Sequence, residues 1–349
     1  MEHVRVSELP ATEHTTLIAA FNGWNDAADA ATWAVKFLIS QWDATSFAEI
    51  DNEEFFDFTQ TRPTVRVSRG MLRRVSWPAN RFYVAHLPTP ADELDFDNLD
   101  NLDDLSETDE TDETDETNAT GRGADQRANF QGSDARHGDV ILLLGDEPHL
   151  RWHTFVREIL DVARLCHVED IVVLGALVAE VPHTAPVQIA GAATTDDYLK
   201  LMVRCGIERT RYSGPTGMLA VLQDMARAQG IPSISLWGTA PHYISATPNL
   251  PVSEALLRKL DHLKGFDLQL KDLSRAAQRF TQQVSSLVAE DPSASAYVRG
   301  LEERSPSSDK PVSPFDASGI HKIPLDGELP TGEQAIESVE QWLRRIRDE

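Results

Sequence analysis

The feature of this 349-residue chain that most constrains its fold is a repeated order of a short apolar run followed by an amphipathic segment. Residues 15–21 form such a run, which ends at the turn-forming pair Asn22-Gly23, and residues 26–42 then carry apolar side chains at helical spacing. Further predicted strands are residues 47–50, 64–67, 81–85, 139–144, 170–174 and 231–237, and further predicted helices are residues 152–165, 195–205 and 217–228. This alternation predicts an α/β fold with a mainly parallel sheet flanked by helices.

The pattern changes beyond Trp237, where two leucine-bearing helical stretches follow each other without a strand between them. Residues 252–263 and 268–290 carry apolar stripes that need a partner surface. Two alternatives stay open: the stripes cover the sheet or each other, or they form a contact between subunits. The chain is therefore divided into an α/β core (1–250), a helical appendage (251–304), a linker rich in Pro, Ser and Asp (305–330) and a C-terminal helix packed on the core (331–349).

An acidic stretch interrupts the core. Residues 91–137 include a run of Thr, Asp and Glu from 107 to 116, and almost no bulky apolar residue occurs between Leu105 and Phe130. A segment that cannot bury a core stays disordered, so we predict a disordered surface insertion here. The whole chain has a formal net charge of -24, which repels phosphate backbones and anionic lipid surfaces. We therefore expect neither nucleic acid nor a membrane among the partners.

The sequence also constrains the compartment and the cofactors. It shows no export signal and no apolar run of the roughly 20 residues that a bilayer requires. The 2 cysteines, Cys166 and Cys205, lie far apart, which favours buried thiols in a reducing compartment over a disulfide, a zinc site or a redox motif. We expect a soluble cytoplasmic protein without a metal site or a cofactor.

Residues with chemical potential follow the predicted strands directly. Four loops have this position, and they span residues 22–26, 145–151, 180–184 and 239–243, while residues 212–217 add a glycine-bearing helix start. Parallel strands place all such loops on the same side of a sheet, where helix N-termini also point, so we predict one cleft whose rim binds a ligand or a partner. Its candidate residues are Asn22, Trp24, Asp26, Glu147, Arg151, Glu180, His183, Thr216, His242 and Tyr243.

Each part of this rim also has a purely structural interpretation. Asn-Gly pairs and prolines are ordinary turn formers, and a histidine beside a proline is more often hydrogen-bonded scaffold than a catalytic base. His183 and His242, with the carboxylates Glu147 and Glu180, have the chemistry of acids, bases or metal ligands. However, the sequence contains no His-x-x-x-His, no Gly-x-Ser-x-Gly, no phosphate loop and no dinucleotide fingerprint. No catalytic or metal-binding role is therefore assigned.

Five motifs at these positions form a longer pattern. They are FNGWND at residues 21–26, GDEPHLRW at 145–152, LGALVAEVPHT at 174–184, YSGPTG at 212–217 and LWGTAPHY at 236–243. In order and spacing they resemble the bacterial, actinobacterial-type branch of the proteasome assembly chaperone family. The resemblance extends from residue 15 to residue 263, and the acidic insertion has no counterpart in it.

This resemblance implies a sheet-and-helix core similar to that of nucleoside phosphorylases, self-assembly into a homotrimeric ring, and a role in assembling another protein complex. Family members that dock on proteasome rings end in a hydrophobic residue, a tyrosine and one further residue. This sequence ends Arg347-Asp348-Glu349, which argues against that mode of docking.

Two hypotheses about function follow. The first is a non-enzymatic assembly or binding factor whose rim holds a peptide or a subunit. The second is a small-molecule enzyme, a hydrolase or a phosphorylase-like protein, that uses the same rim. The absence of a catalytic motif from the sequence favours the first hypothesis.

Overall fold

The computed structural model describes residues 1–68, 71–87 and 138–304, which form an α/β fold with helices on both faces of one large sheet. The strands are β1 (Val4–Val6), β2 (Thr15–Asn22), β3 (Thr45–Ile50), β4 (Thr64–Ser68), β5 (Met71–Ser76), β6 (Asn80–Ala85), β7 (Val140–Asp146), β8 (Val168–Ala179), β9 (Ile189–Ala193), β10 (Glu208–Arg209) and β11 (Ser233–Pro241). The helices are α1 (Ala30–Gln41), α2 (Trp152–Leu165), α3 (Asp196–Arg204), α4 (Met218–Ala228), α5 (Leu250–Lys264), α6 (Lys271–Glu290) and α7 (Pro292–Arg304). The predicted fold class is confirmed.

Nine strands form the large sheet in the order β1-β3-β6-β7-β2-β8-β11-β9-β10. The four central strands, β7, β2, β8 and β11, are parallel. On either side of them, β6 pairs antiparallel with β7 and β9 pairs antiparallel with β11. The carboxyl ends of the four central strands therefore lie at one edge of the sheet, which we call the carboxyl edge. Strands β4 and β5 pair only with each other and form a separate two-stranded sheet, which we call the ribbon.

The central strands carry apolar side chains on both faces, as their nearly continuous apolar sequences predict. In β2, Ile18 and Ala20 belong to an apolar layer with α1 and α5, whereas Leu17, Ala19 and Phe21 belong to the opposite layer with α2 and α4. All five side chains are fully buried. Since burying one large apolar side chain stabilises a fold by about 1.5–3 kcal/mol, a one-residue shift of this strand would be strongly unfavourable.

The leucine stripes beyond Trp237 are covered to different extents. Leu256 and Leu260 of α5 and Leu273 at the start of α6 lie in the same apolar layer as β2, so this part of the stripe covers the sheet. Leu287, near the end of α6, is exposed. Helix α7 packs against α6.

Three predicted segments lie outside the described residues: the disordered insertion (91–137), the linker (305–330) and the C-terminal helix (331–349). Across the part of the chain that the structure describes, no helix has the length and apolar character that crossing a bilayer requires.

Candidate functional site

The loops that follow the four central strands meet at the carboxyl edge, as predicted from their parallel pairing. Some of the predicted rim residues line pockets at this edge. They are divided between two pockets, and no residue lines both. The first, the β2–β7 pocket, is an open depression of about 350 Å³ lined by Asn22, Gly23, Trp24, Gln60, Thr61, Asp146, Glu147, Pro148, His149 and Trp152. The second, the α6 pocket, is a small cavity of about 30 Å³ between the loops after β8 and β11 and the α6 residues Phe280 and Thr281.

Glu147 joins three elements beside the β2–β7 pocket. Its Oε1 accepts hydrogen bonds from Asn25 Nδ2 and from the backbone N–H of Met218, the first residue of α4, each at 2.7 Å. Its own backbone N–H donates to the carbonyl of Asn22 at 2.9 Å. A carboxylate at a helix N-terminus satisfies a free amide and interacts favourably with the helix dipole. Gly217 makes room for this arrangement, since a Cβ at that position would lie 2.3 Å from Asn25 Oδ1.

Asp26 lies beneath the rim, with only 4% of its surface exposed. Its carboxylate accepts hydrogen bonds from the backbone N–H of Ala31 at 2.6 Å and from both the N–H and the hydroxyl of Thr32. Burial raises the pKa of Asp26 to about 6, and the hydrogen bonds from Thr32 and Ala31 act in the opposite direction. Asp26 therefore holds the start of α1, and it lines neither pocket.

Besides Asn22, four predicted rim residues are exposed at the carboxyl edge. Trp24 presents 47% of its surface to solvent at the border of the β2–β7 pocket. Arg151 forms an ion pair with Glu54 outside both pockets. Glu180 and Thr216 line neither pocket.

His183 is hydrogen-bonded to Tyr243, the ring of His242 makes an edge contact with that of Tyr243 at 5.5 Å, and the three residues connect the core to α6 and α7. The hydroxyl of Tyr243 lies 2.7 Å from both the backbone N and the Nδ1 of His183, and His183 Nε2 lies 3.0 Å from Ser285 Oγ on α6. His242 Nε2 lies 2.9 Å from the hydroxyl of Tyr297 on α7. The rings of Tyr243 and Tyr297 also make an edge contact at 6.2 Å.

His183 and Ser285 are the residue types of a catalytic dyad, in which the histidine accepts the hydrogen bond from the serine hydroxyl. The bonding around His183 favours the opposite direction, with His183 as the donor. The Tyr243 oxygen accepts from the backbone N–H of His183, and we assign the tautomer in which the Tyr243 hydroxyl donates its proton to His183 Nδ1. Burial lowers the pKa of His183, so the ring is neutral at pH 7 and carries its one proton on Nε2. Nε2–H then donates to Ser285 Oγ. On this assignment, which follows from the bonding pattern, His183 does not act as a base toward Ser285.

The sequence did not identify all partners of the rim. Asn25 lies inside the FNGWND motif, between the candidate residues Trp24 and Asp26, so the sequence could have indicated it. Ser285 and Tyr297 come from the appendage, and no local pattern marks them as contacts of the two histidines. Among the described residues, no group of three or more His, Cys, Asp or Glu side chains is arranged to hold a metal ion.

Comparison with known proteins places this geometry in a family context. No curated protein matches the chain. Among solved structures, a PAC2 family protein from Streptomyces avermitilis and a proteasome-assembly chaperone homologue from Mycobacterium tuberculosis each share 32% identity, with 81% of this chain and 99% of theirs covered and a TM-score of 0.61. The archaeal proteasome activator PbaB from Pyrococcus furiosus shares 17% identity over 82% of this chain and 99% of its own, with a TM-score of 0.56, and this likeness concerns the fold alone.

The family model covers most of the chain, including every motif quoted above. The model of the PAC2 family matches residues 20–288, which include the end of strand β2, both pockets and almost the whole of α6. The chain belongs to the PAC2 family.

Proposed function

We propose that this protein is a non-enzymatic binding factor that holds subunits of another protein complex during assembly, and that it does so as a homotrimer. One observation at the rim carries the proposal: three of its ionisable groups are already bonded within the chain. Glu147 caps α4, Asp26 caps α1, and His183 is bonded to Tyr243 and Ser285.

The exposed part of the rim has the character of a binding surface. Trp24 projects at the border of an open pocket that also contains Trp152 and His149. Exposed aromatic residues beside a polar pocket are enriched at protein–protein interfaces. The name of the mycobacterial relative, a proteasome-assembly chaperone homologue, makes proteasome core subunits the first partners to test.

The test is binding of the purified full-length protein to α and β subunits of an actinobacterial proteasome core, followed by sedimentation velocity. Trp24→Ala should weaken the complex at least about tenfold, the loss of roughly 1.4 kcal/mol or more that a central aromatic contact provides. Leu165→Ala is the matched control, since Leu165 is an exposed apolar residue at the end of α2, away from both pockets. No complex with either subunit, or equal weakening by both substitutions, would refute the proposed role.

The trimer is tested separately. Exposed apolar residues such as Leu287 on α6 are consistent with a subunit contact. Light scattering at micromolar protein should give three times the 38.7 kDa chain mass. A mass of one chain would reject self-assembly while leaving the binding role open.

The enzymatic alternative is favoured by one contact, the 3.0 Å distance between His183 Nε2 and Ser285 Oγ. A fluorophosphonate probe reacts with serines that a base activates, so it separates the two hypotheses. We expect no labelling, because Nε2 donates to Ser285. Labelling that disappears in Ser285→Ala would instead support a hydrolase.

A further inference from the structure

The ribbon is the most incompletely covered element of the described chain. Its two strands pair only with each other, so the outer edge of each strand lacks a neighbour among the described residues. Val65 and Val75 face each other across the ribbon and are 59% and 41% exposed. Val67 and Trp77 are each 56% exposed, although Trp77 also contacts the Phe58 ring at 4.9 Å. An isolated two-stranded sheet is marginal in water and gains stability when its apolar face is covered.

The ribbon also concentrates positive charge in an acidic protein. No Asp or Glu occurs from residue 58 to residue 91, and residues 62–77 contain five arginines. The cross-strand pair next to Val65 and Val75 joins Arg66 to Arg74, which places two like charges in directly opposed positions. Within the described ranges, neither Arg62 nor Arg74 forms an ion pair. Among the ribbon side chains that the structure describes, Val65, Val67 and Val75 are therefore largely uncovered, and Arg62 and Arg74 have no acidic partner.

The chain itself contains a segment of the complementary kind. Residues 93–97 read Glu-Leu-Asp-Phe-Asp, an alternation of acidic and apolar residues with the period of a strand. The segment continues to residue 105 with three further leucines and three further aspartates, so residues 93–105 carry six acidic and no basic side chains. These residues lie outside the described ranges.

The connection is long enough for this segment to reach the ribbon. Strand β6 follows the ribbon directly, and its six residues carry the chain about 20 Å away. The chain from residue 87 to residue 93, with five residues between them, can span about 20 Å in the opposite direction. A short tether of this kind gives an effective concentration of roughly millimolar, which makes even a weak contact significant.

We propose that the ribbon is a docking site for an extended acidic–apolar strand, and that residues 93–105 of the same chain occupy it. The leucines and Phe96 cover the exposed valines and Trp77, and the carboxylates neutralise the opposed arginines. The disorder expected for residues 91–137 then applies to the part beyond Leu105. A nucleic acid is a weaker candidate, because it would offer the ribbon phosphates without the aliphatic side chains that its valines require.

Hydrogen exchange of the full-length protein tests the docking directly. The first variant removes three charges from the alternating part of the segment by Glu93→Gln, Asp95→Asn and Asp97→Asn. The control removes three charges from the part without bulky apolar residues by Asp109→Asn, Glu110→Gln and Asp112→Asn. Amides of β4 and β5 should exchange about tenfold more rapidly in the first variant than in the wild type, and at the wild-type rate in the control.

A second arm supplies the segment in trans. A synthetic peptide of residues 91–105 should restore slow exchange of the ribbon in the first variant, and should fail to do so once Arg74→Glu is added. Equal ribbon exchange in the wild type and the first variant, or an equal effect of the control, would overturn the proposal. Binding of a 20-nucleotide single-stranded RNA to the wild type that is lost in Arg74→Glu would overturn it in favour of a nucleic-acid site.

Discussion

Replacing Asp26 by Asn should change how the stability of this protein depends on pH. The Asp26 carboxyl is buried beneath α1, and its pKa is raised from 3.8 to about 6, first of all by burial. A carboxyl whose pKa is higher in the folded chain than in the unfolded chain binds its proton more tightly when folded. Its stabilising contribution is therefore fully present below about pH 4, and it is lost as the pH rises through about 6.

The magnitude follows from the size of the shift. One pKa unit corresponds to 1.36 kcal/mol, so a shift of about two units gives roughly 3 kcal/mol between pH 4 and pH 7. In Asp26→Asn the side-chain oxygen can still accept the 2.6 Å hydrogen bond from Ala31, but the group no longer titrates. Relative to the wild type, the variant should therefore gain about 3 kcal/mol of unfolding free energy across this window.

Urea unfolding of both proteins at pH 4, 5, 6 and 7 measures this difference. All other titrating groups occur in both proteins, so subtraction isolates Asp26 as long as the surrounding structure is retained. Thr32→Val provides a second check, because the Thr32 hydroxyl lowers the pKa of Asp26 and its removal should move the window to higher pH. A difference that stays constant from pH 4 to pH 7, or that changes in the opposite direction, would show that the bonds to α1 outweigh burial.

Three further perturbations test other parts of the fold. Lys264→Met should destabilise the chain by about 3 kcal/mol in urea unfolding, because it leaves the buried Asp170 carboxylate without its cation, and Asp170→Asn in the same chain should recover most of that loss. Tyr243→Phe should cost about 1 kcal/mol and speed amide exchange in α6, since it removes the hydroxyl that bonds His183; unchanged exchange there would mean that the group does not hold the appendage. Deleting residues 106–137 should leave the melting temperature within about 2 °C, because a segment that contributes no core has little effect on global unfolding, and a larger drop in a calorimetric scan would contradict this.

The central strands were predictable because their apolar sequences carry the signal within a few residues. Strand β2 was located to within one residue, and α2 was predicted with its observed bounds. The ends of β8 and β11 were placed too early, since both strands continue past the apolar run by pairing with each other as far as Ala179 and Pro241. That extension is a property of the pair and not of either sequence alone.

Strand β9 was not predicted, and it shows the opposite case, in which tertiary contacts determine the structure. Strand β9 reads Ile-Ala-Gly-Ala-Ala, a sequence with little strand propensity. It forms because it pairs antiparallel with β11, where Gly191 approaches so closely that a Cβ would lie 2.0 Å from the Ser235 carbonyl oxygen. No local pattern contains that contact.

The edge at which the candidate residues lie was predictable, but the division of that edge into two pockets and the bonding of its side chains were not. Parallel topology requires the four loops to share an edge, and they do. Whether a rim side chain is free depends on residues that are distant in sequence, such as Met218 for Glu147 and Ser285 for His183. Sequence reasoning therefore identifies which residues meet at the edge more readily than which of them remain available to a partner.

The net charge of a chain is a poor guide to its local contacts, for a physical reason. At physiological ionic strength the Debye length is about 8 Å, so a charged group responds mainly to its near neighbours and not to the formal charge of -24 carried by the whole chain. The expectation that polyanionic partners are repelled rests on the average charge of the molecule, and this reasoning does not extend to the ribbon, where five arginines occur without a carboxylate between residues 58 and 91. The acidic residues that dominate the sum begin immediately afterwards, at Asp92. The net charge of the whole chain therefore does not reveal that two neighbouring segments carry opposite charges. The interaction between these segments depends on the short length of chain that joins them.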